Sequence, residues 1–326
     1  MRCFLLSVCA YLISLVSGYA ASEEGMLSVT FVGTGGPEVT VDREGIATLV
    51  STANGNYLFD AGRTVMQNLY EAGVDPRDVD TIILTHLHND HIEGLPNLWM
   101  TGWFLLGREQ PLKIVGPVGT KAMIEGMYAM YQFDVKHRAN AFNDPAHLLI
   151  DVTELDAEGV FIDNGPLKFT AFLVEHGDGD PAFGYLIEDG SQSVLLSGDT
   201  RLCDNLIKHG QGVDILVSNI LAMPDELAKK PEMQGVVAKL MTIPEAVELF
   251  NATQPRLAVY SHFVTKDIPH HSLDTFIEST TRSLGYTGAL FLGKDGWSVG
   301  LPELEISPPP PAEQLPNLDR KVSYED

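Results

Sequence analysis

Asp80-Thr81-Ile82-Ile83-Leu84-Thr85-His86-Leu87-His88-Asn89-Asp90-His91 is the stretch on which the fold turns. Its first half, residues 80–85, is a continuous apolar run, the pattern of a strand covered on both faces, as in a parallel sheet flanked by helices. Its second half places His86, His88, Asp90 and His91 within six positions, just past the carboxyl end of that strand. So many ligand-type side chains converge only where a loop wraps around something, and imidazole with carboxylate suits a divalent transition metal. A hydrogen-bonded loop corner is the alternative, but burying these titratable groups without a metal leaves their desolvation unmet.

Outward from that stretch, strands are predicted over residues 26–32, 46–50 and 56–59, with Gly33-Thr34-Gly35-Gly36-Pro37 breaking the first. Apolar spacing predicts a helix over 64–73, ended by Gly73, and another over 120–131 whose Met123, Met127 and Met130 read as core packing. Strands follow over 112–115, 148–155 and 167–174. Residues 183–188 and 193–197 alternate on either side of Asp189-Gly190, a hairpin signal. Helices over 202–209, 244–251 and 272–284 then interleave with strands over 215–217, 257–260 and 289–292. No shift of composition marks an internal boundary, so residues 26–301 read as one mixed α/β domain. Six of the 19 prolines fall between Pro302 and Pro316, which favours extended polyproline II over a packed element for the tail, 302–326.

The chain has 326 residues with 21 Lys+Arg against 44 Asp+Glu, a formal charge of −23. Basic residues never run longer than Lys229-Lys230, so a phosphate-tracking surface is missing and nucleic acid is not an expected partner. Met1-Arg2, the apolar run 3–16 and the small residues of Ser17-Gly18-Tyr19-Ala20 read as a signal peptide over 1–20, and its apolar stretch is too short for a stable membrane span. A secreted or periplasmic location is therefore expected. Cys3 and Cys9 leave with that segment, so Cys203 stands alone, with no intrachain disulfide, and reads as a small buried hydrophobe rather than a nucleophile.

Three more ligand-type residues occur at strand ends: His176 after 167–174, Asp199 after 193–197 and His262 after 257–260. Open α/β sheets place their chemistry at that end of their strands. With these residues in place the chain resembles the metallo-β-lactamase superfamily, whose HxHxDH motif and later His, Asp and His stand here at His86, His88, Asp90, His91, His176, Asp199 and His262. The resemblance implies a single-domain, four-layer αββα sandwich with two divalent ions, zinc being expected and manganese or iron the alternatives. His86, His88 and His176 would hold one ion, Asp90, His91 and His262 the other, and Asp199 would bridge both. It further implies catalysis through Asp90, Asp199 and His262 with a water shared between the ions, acidified into a bridging hydroxide nucleophile. Asp60, in Phe59-Asp60-Ala61-Gly62, matches the aspartate that orients ligands in this superfamily.

Gly33-Thr34-Gly35, Gly94-Leu95-Pro96, Gly107-Arg108-Glu109 and Phe183-Gly184-Tyr185 resemble the ribonuclease Z branch. Two features depart from it. That branch carries a tRNA-binding arm between the ligands matching His176 and Asp199, and here only 23 positions separate them. It also uses an acidic residue and a histidine between Asp199 and His262, where this chain reads Val217-Ser218-Asn219-Ile220 and Lys239-Leu240-Met241. The expectation is an exported dinuclear hydrolase cleaving a phosphoester or other small ester-like bond in a small molecule. A ribonuclease Z-like endonuclease, a hydrolytic dehalogenase of aromatics and a non-catalytic metal-stabilised binding protein are the alternatives, and a homodimer stays open.

Candidates for substrate contact or ligand support are fewer. Trp99, with Met100, Trp103 and Phe104, follows the cluster closely enough to form an aromatic wall beside the metals, core packing being the alternative. Asp134, His137 and Arg138 lie on a loop-like stretch that could make a polar lid. His271, after Pro269-His270, could supply a general acid or cap a helix. Asn219 stands where the ribonuclease branch has its acidic residue. The sequon Asn251-Ala252-Thr253 matters only in a eukaryotic secretory pathway.

Overall fold

The computed structural model describes residues 27–320; the signal segment read at 1–20, Met26 and residues 321–326 lie outside them. β1 (Ser28–Gly33), β2 (Ala47–Thr52) and β3 (Gly55–Phe59) form an antiparallel meander, and α1 (Val65–Glu71) crosses to β4 (Thr81–Ile83), parallel to β3. α2 (Asn89–Ile92) and α3 (Leu95–Phe104) lead to β5 (Leu112–Pro117), and α4 (Thr120–Arg138) to β6 (Ile150–Leu155), both again parallel. β7 (Gly159–Asn164), β8 (Leu167–Val174), β9 (Ala182–Asp189) and β10 (Gln192–Leu196) are antiparallel neighbours in a second sheet. After α5 (Asp204–His209) comes β11 (Ile215–Ala222), then α6 (Asp225–Ala228), α7 (Gln234–Val237) and α8 (Ile243–Thr253). β12 (Leu257–Thr265), α9 (His270–Ser283) and β13 (Leu290–Leu292) complete that sheet, while β14 (Ser298–Gly300) and β15 (Glu305–Ser307) return to the edge of the first. The strand orders are β15-β14-β1-β2-β3-β4-β5-β6 and β13-β12-β11-β10-β9-β8-β7.

Three apolar layers hold these elements. Phe31, Phe59 and Ile83 of the first sheet meet Phe169, Tyr185, Val217 and Val259 of the second, with the Tyr57 and Phe169 rings 4.5 Å apart. Behind the first sheet, Leu58, Ile82 and Leu84 pack on Val65, Leu69, Leu98 and Trp99 of α1 and α3. Behind the second, Leu216 and Ala258 pack on Val247, Phe250, Leu273 and Ile277 of α8 and α9. Each fully buried aliphatic or aromatic side chain contributes about 1.5–3 kcal/mol, so three stacked layers give the described residues a large core, and Cys203 is a free thiol. The result is the four-layer αββα sandwich. Cys203 is partly buried against the third layer, and burial pushes its thiol up, as expected of a small hydrophobe. Among the described residues no helix is long and apolar enough to cross a membrane.

Four expectations change. α4 does not stop at residue 131 but runs to Arg138, so Asp134, His137 and Arg138 are helical rather than part of a loop. Tyr131 and Val135 continue its packing on the first outer layer, and Arg138 pairs with Asp134 one turn back at 2.8 Å. Lys136, His137 and Arg138 also suit the negative end of the helix dipole. The methionine stripe on α4 is only half core: Met127 is buried, whereas Met130 is 75% exposed. β7, which the composition of 159–164 did not suggest, pairs with β8 as an edge strand; Asn164-Gly165, with Gly165 at φ 76°, was its hairpin signal. The proline-rich tail is not wholly unpacked, because β15 pairs with β14, Leu318 packs on the first outer layer, and Arg320 bonds Asn143 and the Phe142 carbonyl.

Candidate metal centre

The carboxyl ends of strands from both sheets converge at one edge of the sandwich. β4 delivers Thr85 and His86, and the single turn of α2 presents Asp90 and His91 from one side. β8 runs out at Val174, two residues before His176, and β10 at Leu196, three before Asp199. β11 and β12 were expected to end at 217 and 260, yet both continue for several residues beyond the site. Where they pass it, Ser218 pairs with Tyr260 but Ile220 pairs with Phe263, so Asn219 faces both Ser261 and His262. This bulge, with His262 at φ 45°, re-aims the imidazole into the site.

The donor atoms form three overlapping groups: His86, His88 and His176; His86, His91 and Asp199; and Asp90, His91 and His262. His86 Nε2 and His176 Nε2 stand 3.0 and 3.1 Å from His88 Nδ1. Asp199 Oδ2 is 3.5 Å from His91 Nε2 and 3.8 Å from His176 Nε2, and Asp90 Oδ2 is 3.2 Å from His262 Nε2. Two nitrogen or oxygen ligands on one tetrahedral zinc ion stand about 3.3 Å apart, given bonds of about 2.0–2.1 Å. His91 Nε2, Asp199 Oδ1 and His262 Nδ1 are buried without a hydrogen-bond partner. Buried polar atoms are rarely left so, and the donor spacing fits divalent cations as what they lack.

Outer contacts fix which nitrogen of each ring faces inward. His91 Nδ1 donates to Asp60 Oδ2 at 2.8 Å, which turns Nε2 toward the centre. Asp60, at φ 60°, also accepts from the Thr85 amide at 2.8 Å and from its hydroxyl. That hydroxyl stands 3.0 Å from His86 Nδ1, so Asp60 orders His91 directly and His86 through one threonine. His176 Nδ1 donates to the Lys239 carbonyl at 2.8 Å. Gly179 completes the pocket for these rings: a Cβ there would lie 2.1 Å from His176 Cδ2 and 2.9 Å from His88 Cε1.

Electrostatics follow the same arrangement. Burial, together with the neighbouring His91 and His176, holds His86 well below the ordinary imidazole range, and burial with His176 lowers His88. Burial opposes ionisation of Asp199 and Asp90. The surrounding imidazoles outweigh it, His262 and His91 holding Asp199 well below the usual carboxylate range and Asp90 below it. Burial likewise opposes a charged His91, but Asp60 and Asp199 raise it well above the usual value. The centre is thus negative enough to draw a cation inward.

A cavity of about 400 Å³ opens onto this centre, lined by His88, Asp90, His176, Asp199 and His262 with Lys239 and Lys266. Of the outer candidates, Asp60 stands against the donor cluster, bonded to His91 and Thr85. Asn219 is buried behind them, on a small gap of about 40 Å³ shared with Asp199 and His262. Three expectations are corrected. Trp99 is fully buried in the outer layer, its Nε1 donating to the Leu148 carbonyl, because α3 turns that face toward Tyr128 and Tyr131 and away from the cavity. Arg138 lies at the end of α4, stacked 4.0 Å over Phe104. His271 opens α9 and lines a different hollow with Arg43 and Asp274. Gly179, Lys239 and Lys266 were not singled out from the sequence, and no local motif marks them.

The "Beta-lactamase superfamily domain" family profile matches residues 55–263. A ribonuclease Z of Mycobacterium sp. (strain KMS) is 31% identical over 252 residues, which cover 76% of this chain and 88% of the relative. The metallo-beta-lactamase fold protein YhfI from Bacillus subtilis superposes with a TM-score of 0.62 at 20% identity, over 84% of this chain and 99% of that one. Human tRNase Z, short form, gives 0.62 at 21%, with the same coverage of both chains. This chain therefore belongs to the beta-lactamase superfamily, as a metallo-β-lactamase fold hydrolase on its ribonuclease Z-like branch.

Proposed function

We propose that the protein is an exported, dinuclear metal-dependent hydrolase that cleaves a phosphoester or other small ester-like bond in a small molecule. The observation that carries this reading is the overlap of the three donor groups, in which His86 and His91 each belong to two. His86, His88 and His176 would hold one ion, Asp90, His91 and His262 the other, with Asp199 between them; zinc fits these imidazole and carboxylate donors, with manganese or iron as alternatives. When bound, such a pair of ions supplies Lewis-acid polarisation of the scissile group and a nucleophile at neutral pH. The chain's own residues do the positioning. Asp60, Thr85 and the Lys239 carbonyl hold three imidazoles in orientation, and the sandwich closes the centre on the side away from the 400 Å³ cavity.

Protein purified without chelator should hold close to two metal equivalents and turn over members of a panel of chromogenic phosphodiesters, phosphomonoesters, sulfate esters and lactones. Asp199→Ala should lose most of that activity. A correctly folded protein that binds no metal, or an Asp199→Ala variant with unchanged turnover, overturns the reading. Export rests on residues 1–20, and the mature N-terminus of protein recovered from its native source tests it, a start at Ala21 being expected.

A second reading, cleavage of RNA, is favoured by the 31% identity to a ribonuclease Z. Against it stand the −23 charge and the span between His176 and Asp199, which is filled by the single hairpin β9–β10. Salt-sensitive cleavage of a tRNA precursor by the purified protein would establish this reading over the first.

A further inference from the structure

The cavity wall carries a charge pattern that the ligand set does not explain. In a chain with few cations, two ammonium groups line it, those of Lys239 and Lys266. Lys239 stands beside the first donor group, its carbonyl holding His176. Lys266 follows β12, four positions beyond His262, with its amide bonded to the Ala222 carbonyl. An ammonium has three donors and no acceptor, so neither can serve as a metal ligand. Each is steadied by one carboxylate: Lys239 Nζ by Asp178 at 2.8 and 3.0 Å, and Lys266 Nζ by Glu38 at 2.6 Å. Those contacts hold two long side chains extended before any ligand arrives and leave donor hydrogens over, which lowers the ordering cost of binding an anion. Their side chains are only 28% and 37% exposed, so solvent screens them incompletely. Asp178 lines the cavity with its partner Lys239, and Pro37, Val236, Leu240 and Val264 supply the apolar part of the wall.

We propose that the substrate is a compact molecule with a second anionic group outboard of the bond to be cleaved, recognised by Lys239 and Lys266, and an apolar body seated on Val236, Leu240 and Val264. This rests on the reading of the cavity as the substrate site. A volume of about 400 Å³ is that of a small-molecule pocket, and two lysines cannot track a polyanion along a strand.

The test uses zinc-loaded protein and calorimetric binding of two phosphonates of equal size, 4-carboxyphenylphosphonate and 4-carbamoylphenylphosphonate, which differ in the outboard charge alone. Wild-type protein should bind the carboxylate probe roughly tenfold tighter, a preference that falls about threefold in Lys239→Gln or Lys266→Gln and vanishes in the double variant. Affinity for the carbamoyl probe should fall by less than that for the carboxylate probe in each glutamine variant, since both probes carry the phosphonate and only one carries the outboard charge. The two arginine variants should retain the preference. Equal binding of both probes by the wild type, a preference that survives in the double glutamine variant, or no binding of either probe overturns the proposal. The readout is separable from turnover. Lysine-dependent preference in a protein inert on every phosphoester sinks the phosphoester reading alone, and turnover without the preference sinks this proposal alone.

Discussion

Replacing Asp60 by asparagine changes one atom at the base of the centre and tests how the imidazoles are held. Asp60 accepts from the Thr85 amide at 2.8 Å, the Thr85 hydroxyl at 2.9 and 3.1 Å, and His91 Nδ1 at 2.8 Å. Asparagine can keep its oxygen on the amide, but its Nδ2 then faces His91 Nδ1 and the hydroxyl, donor against donor. His91 is relieved only by moving its proton to Nε2, the atom that must offer a lone pair to the metal. Loss of such an outer contact costs roughly 10–100-fold in metal affinity, or about 1.4–2.8 kcal/mol. The affected ion would be the one that the donor group of Asp90, His91 and His262 could hold. The assay is zinc competition against a chelator of known affinity, resolved into two sites, with thermal unfolding of the metal-free variant as a control for folding. The site of Asp90, His91 and His262 should weaken by that factor, and the site of His86, which Asp60 reaches only through Thr85, by less. Two sites of wild-type affinity in Asp60→Asn would refute the claim that Asp60 selects the His91 tautomer.

Three further outcomes are expected. Chelation should lower the unfolding midpoint, because metal present at 100 times its dissociation constant stabilises the fold by about 2.7 kcal/mol; an unchanged midpoint in a scanning calorimeter would count against a structural metal contribution. Gly179→Ala should leave the circular dichroism intact and remove about one metal equivalent, since its Cβ would meet the His176 ring at 2.1 Å; two equivalents by elemental analysis would contradict this. Trp99→Phe should cost roughly 0.5–1.5 kcal/mol through the lost bond to the Leu148 carbonyl and leave kcat/KM unchanged, whereas a tenfold kinetic effect at wild-type stability would return Trp99 to the substrate site.

Sequence and tertiary structure divide the centre between them in a physically intelligible way. His86, His88, Asp90 and His91 were legible because their donors crowd six consecutive positions after an apolar strand, a density that has a chemical meaning without knowledge of contacts. His176, Asp199 and His262 were legible one step further, as isolated residues at strand ends that complete a known pattern. Helix lengths were less so: α4 gains two turns from its packing on the outer layer and from the Asp134–Arg138 pair, neither of which hydrophobic spacing registers.

The sequence by itself determined the alternation of strands and helices and marked the cluster from His86 to His91, because strand burial and ligand chemistry are properties of local residue pattern. The four-layer order and the wider donor set came through the family resemblance. Tertiary structure alone decided which other side chains share their space. Trp99, Arg138 and His271 carry suitable chemistry, yet the face of α3 and the positions of α4 and α9 turn them elsewhere. Lys239 and Lys266 look ordinary in the chain and line the cavity because a loop carbonyl caps His176 and because β12 runs on past His262. The bulge that aims His262 likewise exists only in the register of β11 against β12. Cavity membership depends on the sum of registers and packing angles over distant segments, and no spacing within one segment encodes that sum.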